Sequence, residues 1–77
     1  MQLEIISPEQ VIFSGEVTSV TLPGTAGSFQ VLNNHAPLIS TLEAGQVKVR
    51  TASNEEQTFA VDKGFVEVLK NKVVVMV

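Results

Sequence analysis

Between Ser19 and Val49 the chain reads SVTLPGTAGSFQVLNNHAPLISTLEAGQVKV. Short runs rich in Val, Thr, Leu, Ile and Phe are cut by Pro23-Gly24, Gly27, Asn33-Asn34 and Gly45. Strand formers punctuated at such intervals by turn formers are the pattern of an all-β fold. The same rhythm extends outward, with Pro8 and Gly15 upstream and Asn54, Gly64 and Asn71 downstream. Leu3 and Ile5 alternate with Gln2 and Glu4, Val47 and Val49 alternate with Lys48 and Arg50, and Val73, Val75 and Val77 share one face of the last segment. Strands of this kind bury one face and leave the other outside. No stretch repeats its apolar residues at helical spacing, so essentially no helix is expected.

The pattern predicts strands at Gln2–Ile6, Gln10–Phe13, Val17–Leu22, Ser28–Leu32, Leu38–Leu42, Gln46–Thr51, Gln57–Val61, Phe65–Leu69 and Lys72–Val77. So many short strands must fold over on themselves, because one open sheet would leave an apolar face in water. The expectation is a small flattened β-sandwich of roughly eight to ten short strands, forming a single domain over residues 1–77. Surface scaling for a chain of this size gives roughly 4,600 Å² exposed after folding, which implies a thin core. The glycines are expected at sharp turns, with Gly24 and Gly27 read as turn positions needing positive φ. The apolar terminal run KVVVMV would be an aggregation hazard on an open edge, so it is expected to be paired or covered.

Composition narrows the functional classes. There is no cysteine, which removes disulfides, thiolate metal sites and a cysteine nucleophile. Five Lys and Arg against eight Asp and Glu leave a net charge of −3, and the basic residues are dispersed. With four Phe, no Tyr and no Trp, the chain lacks the positive charge and stacking aromatics of a nucleic-acid binder. The longest apolar run, Val73 to Val77, is far short of the ~20 residues that span a bilayer. The start, MQLEIIS, carries Glu4 where a signal or transit peptide would be basic, so no leader is expected and any membrane association should be peripheral.

No catalytic set or cofactor site emerges either. His35 is the only histidine and lies in NNHAPL without an identifiable nucleophile or metal-ligand companions. Ser28 follows Gly27 but is not in a Gly-x-Ser-x-Gly elbow, and Gly24-x-x-Gly27 lacks the Lys-Ser/Thr ending of a phosphate loop. Glu55 and Glu56 read as a solvated hairpin tip beside Asn54. One alternative is a biotinyl or lipoyl carrier domain, with Lys63 in Asp62-Lys63-Gly64 as the modified residue. Val61, Phe65 and Val66 are not the Met or Ala neighbours of such an attachment motif.

The order of Leu22-Pro23-Gly24, Gly27, His35-Ala36-Pro37-Leu38, Gly45 and Gly64-Phe65-Val66-Glu67-Val68 resembles the epsilon subunit of F-type ATP synthases. The resemblance extends through IISPEQVIFSGEV and FAVDKGFVEVLKNKVVVMV and so covers nearly the whole chain. It implies a non-catalytic rotor part on the cytoplasmic side of the cell membrane, docked on the gamma subunit of the central stalk and on the ring of c subunits, coupling proton flow to ATP synthesis. Carried over by position, the gamma-facing surface includes Ser7, His35 and Ser40, and the ring-facing loop includes Gly27, Ser28 and Phe29. Family members often carry an acid where Ser28 stands, a Gly at Gln30 and a Pro near Asn33, so a weaker or rearranged polar contact with the ring is expected. The family's C-terminal helices, which in some members bind ATP, are not encoded here, and no nucleotide site or cofactor is expected. The intact mass of natively expressed chain should show no biotin or lipoate on Lys63; an adduct there would favour the carrier alternative.

Overall fold

The computed structural model describes residues 1–77 and contains eight strands: β1 (Gln2–Ile6), β2 (Val11–Gly24), β3 (Gly27–Leu32), β4 (Leu38–Leu42), β5 (Gly45–Thr51), β6 (Glu56–Val61), β7 (Gly64–Leu69) and β8 (Lys72–Met76). Its accessible surface is 4529 Å², close to the size-based expectation. All eight strands belong to one hydrogen-bonded sheet that folds over on itself through β2.

Two runs expected as separate strands, Gln10–Phe13 and Val17–Leu22, are parts of the single strand β2. Fourteen extended residues would measure about 46 Å if straight. The molecule is only 27 Å along its longest axis, so β2 must bend. The register against β5 is irregular between Val17 and Ser19, where one residue is left without a partner. Such a bulge bends and twists a strand without ending it. Gly15, read from the sequence as a turn, instead sits within β2 opposite Leu3.

The bend makes two layers. The first half of β2 pairs with β1, which continues to β8, β7 and β4. The second half pairs with β3 on one side and with β5 on the other, followed by β6. A bridge between Gly24 and Leu42 joins β2 to β4 and closes the path β1-β8-β7-β4-β2. β3 and β6 are left as edges with one neighbour each. Phe59 of β6 stacks at a tilt on Phe13 in the first half of β2, with ring centroids 5.5 Å apart, and so ties one of those edges back to the other layer.

Fifteen buried residues form one apolar cluster. Leu3, Ile5, Val66, Val68, Val73 and Val75 enter it from the first layer, and Val20, Leu22, Val31, Val47 and Val49 from the second. These are the alternating positions picked out in β1, β5 and β8. Full burial of each such side chain is worth roughly 1.5–3 kcal/mol against leaving it in water. The terminal run is covered as expected: β8 lies inside its layer, parallel to β1 and antiparallel to β7.

Positive φ falls mostly on asparagines, at Asn34, Asn54 and Asn71, with Lys70 and one glycine, Gly27 at φ 130°. Asn adopts this region because its short side chain bonds locally to the backbone. Lys70 and Asn71, both with positive φ, make the two-residue turn between Leu69 and Lys72, as a type I′ hairpin requires. Gly24 has no positive φ, contrary to the turn expectation, and lies extended at the end of β2. Gly64 is small for a different reason. A Cβ there would fall on the carbonyl of Met76 and come within 3.2 Å of Val77 Cα.

Gly64→Ala is therefore expected to destabilise the fold by about 1–3 kcal/mol, the usual cost of overpacking. Gly15→Ala, whose new Cβ would meet only the Phe13 ring at 3.5 Å, is expected to be neutral or to stabilise by up to about 1 kcal/mol. Urea unfolding midpoints of the two variants distinguish the sites. Equal midpoints would contradict the close approach at Gly64.

Candidate partner interface

The β2–β3 hairpin carries Gly27, Ser28 and Phe29. Gly24 pairs with Gly27, leaving Thr25 and Ala26 at the tip. The tip is pinned to β4 twice: the Thr25 N–H donates to the Thr41 carbonyl at 3.1 Å, and the two threonine hydroxyls are 2.8 Å apart. Ser28, opposite Pro23, is exposed and makes no side-chain hydrogen bond. Phe29 turns inward, against the core and over Gly24. The surface that this hairpin offers to a partner is thus Thr25 to Ser28, and Phe29 is its footing.

Ser7 opens the turn between β1 and β2. Its N–H donates to the Gln10 carbonyl at 2.9 Å, and its Oγ accepts from the Gln10 N–H at 3.3 Å. Side-chain and backbone bonds of this kind fix a turn without any regular element. His35 lies in the loop between β3 and β4, exposed, with Nδ1 2.7 Å from the Ala36 carbonyl. Because a carbonyl oxygen only accepts, Nδ1–H is the donor in that contact. The loop is anchored twice at its start: the Asn34 N–H donates to Asn71 Oδ1 at 2.8 Å, and the Met1 ammonium donates to Asn33 Oδ1 at 2.7 Å.

Ser40 behaves differently. Along β4 it shares the inward parity of Leu38 and Leu42, is only half exposed, and bonds to the neighbouring Thr41 carbonyl at 3.3 Å. The outward positions of β4 are Ile39, 74% exposed, and Thr41. Ile39 escaped the sequence reading because Leu38, Ile39 and Leu42 place apolar residues on both parities, which hides the outer face.

Ser7, His35 and Ser40 do not converge. Ile6 pairs with Met76, Met76 with Phe65 and Phe65 with Thr41, so Ser7 belongs to the end of the layer where β4 finishes. His35 stands before Leu38, where β4 begins, roughly 13 Å away along the strand direction. The β2–β3 hairpin joins the Ser7 end, because Gly24 bridges to Leu42 and Leu42 pairs with Gly64.

Lys63 lies in the two-residue link Asp62-Lys63 between β6 and β7. These strands are not paired with each other, so the link crosses between layers. A carrier-type attachment lysine needs a hairpin tip, and this position does not provide one. The exposed ion pairs Arg50–Glu56 at 3.4 Å and Lys72–Glu4 at 3.7 Å each contribute at most about 1 kcal/mol.

Comparison with known proteins gives a consistent result. The chain is 41% identical over 75 residues to the ATP synthase epsilon chain of Chlorobium limicola, covering 97% of this chain and 85% of that one. It is 42% identical over 77 residues to the epsilon chain of Campylobacter fetus, of which it spans 60%, and 39% identical to that of Dichelobacter nodosus, of which it spans 52%. In fold it matches a chain of the Euglena gracilis mitochondrial ATP synthase with a TM-score of 0.89 at 21% identity, covering 96% of this chain and 48% of that one. A chain from the central stalk and c-ring structure of the Tetrahymena thermophila mitochondrial ATP synthase matches with a TM-score of 0.81 at 20% identity, covering 99% and 61% respectively. The model for the β-sandwich domain of the ATP synthase delta/epsilon chain matches residues 1–77, and the chain belongs to that family.

Proposed function

We propose that this protein is a non-catalytic rotor subunit of a proton-translocating F-type ATP synthase, docking on the gamma subunit of the central stalk and on the c-ring. The observation that carries this reading is the family match across all 77 residues, with epsilon chains at about 40% identity over nearly the full length. The chain would act as one domain, held peripherally on the cytoplasmic side of the membrane by the complex.

The architecture suits the task. Torque passes through a part that does not deform, and here the strands of the first layer are locked by a path that closes on itself through β2. Loops fixed by hydrogen bonds on such a scaffold present a rigid surface, which costs a partner little ordering entropy on binding. The exposed stretch Thr25 to Ser28 serves as the ring contact in this reading, with Thr25 and Ala26 at its tip and Gly27 and Ser28 beside it at the start of β3. Ser7 and His35 serve as gamma contacts, each on a loop tied down by side-chain or backbone bonds. Ser40 contributes to the scaffold more than to the surface because of its inward parity.

Calorimetric titration of the 77-residue chain against isolated, folded gamma subunit tests the proposal. Saturable one-to-one binding is expected, weakened several-fold by His35→Ala and little changed by Ser40→Ala. Absence of binding at tens of micromolar would overturn the rotor reading.

A further inference from the structure

At the His35 end of the molecule one nitrogen holds two elements together. The Met1 ammonium donates to three acceptors: Asn33 Oδ1 at 2.7 Å, the Val17 carbonyl at 3.0 Å and Glu16 Oε2 at 3.1 Å. Glu16 and Val17 belong to β2 just where its bend begins, and Asn33 starts the loop that carries His35. The Met1 carbonyl in turn accepts from the Val17 N–H at 2.9 Å. Behind the nitrogen, Met1 is only 5% exposed and belongs to the apolar cluster. The first residues of a domain are ordinarily poorly ordered unless tied down. Here the first residue is buried and its nitrogen is fully bonded.

The number of acceptors fits one chemical state of that nitrogen. An ammonium carries three N–H donors, and all three are used. A formylated or acetylated nitrogen is an amide with a single N–H and no charge, so two of the three acceptors would lose their partner. The contact with the Val17 carbonyl is buried, and a buried acceptor left unpaired bears its full desolvation penalty. The acyl group would also need room beside a residue already packed into the core. Glu16, whose side chain is 63% exposed, adds little through charge alone. Asn33 and Val17 therefore carry most of the contact.

We propose that Asn33, Val17 and Glu16 form a site for the chain's own unmodified amino group, and that the free Met1 amine is the pin that fixes the His35 loop. The hydrogen bonds form one knot. Met1 holds Asn33, the neighbouring Asn34 N–H donates to Asn71 Oδ1 at 2.8 Å, and the Gln2 N–H donates to the Asn71 carbonyl at 3.1 Å. Acylation of the Met1 nitrogen unties one side of this knot, next to His35. In the rotor reading, on which this last consequence rests, His35 is a gamma contact. An acylated chain then docks more weakly, because its loop must be ordered on binding.

The test compares the 77-residue chain, made by chemical synthesis, with a free amine and with an acetyl group on the Met1 nitrogen. Acetylation is expected to lower the urea midpoint by roughly 1 M. The Asn34 N–H should exchange with solvent several-fold faster, while the Thr25 N–H at the far end keeps its rate. Asn33→Leu in the free-amine chain should reproduce both effects, and Asn33→Asp, which keeps an acceptor, should largely restore the original values. In the acetylated chain Asn33→Leu should add little, since both changes remove the same bond. Calorimetric affinity for isolated gamma subunit should fall several-fold on acetylation. Equal midpoints and equal exchange rates, or full additivity of acetylation and Asn33→Leu, would overturn the proposal whatever gamma does. A looser loop with unchanged affinity for gamma would overturn the link to docking. If the free-amine chain does not bind gamma, the rotor reading falls, and the midpoints and exchange rates still decide the site.

Discussion

The bend in β2 is the constraint on which the rest of the structure depends. A strand of 14 residues cannot remain straight in a molecule 27 Å long, and the bulge between Val17 and Ser19 lets it leave one layer and enter the other without breaking. Because both halves belong to one strand, the two apolar faces are held together covalently as well as by burial. Val17 and Val20, near the bend, are fully buried and join the cluster that both layers fill.

Closure follows from the same strand. β2 meets β1 at one end and reaches Leu42 of β4 at the other, so the strands between have neighbours on both sides. β3 and β6 keep one neighbour each, β4 meets β2 through a single bridge, and the apolar run of β8 is kept inside the sheet between β1 and β7. An 8-stranded chain of this size has a thin core, and few unpaired edges are the means by which such a domain avoids pairing with its own copies. Rigidity and the covering of β8 therefore come from one topological feature.

The outer surfaces of the two layers differ in what they offer. The hairpin at Thr25 to Ser28 and the turn at Ser7 share one end of the first layer, while His35 marks the other. The polar outer face of the second layer contrasts with the apolar one of the first. That contrast gives the domain a sidedness: a surface that gains by being covered and a surface that gains by remaining in water.

The sequence by itself determined the all-β class, the positions of nearly all strands, the buried parity of Leu3, Ile5, Val47, Val49, Val73 and Val75, and the family through the ordered set from Leu22 to Val68. Those signals are local: period-two alternation and turn residues depend on near neighbours in the chain. Tertiary structure alone decided that two runs are one bent strand, that Gly15 and Gly24 are extended while Lys70 turns, and that Gly64 is needed for its closeness to Met76. It also decided that Ser40 faces inward, and that Ser7 and His35 lie at opposite ends of the first layer. The physical reason is that strand pairing joins residues distant in the chain. Which atoms meet across β4, β7, β8 and β1 is set by register and closure, and neither is written in any single segment.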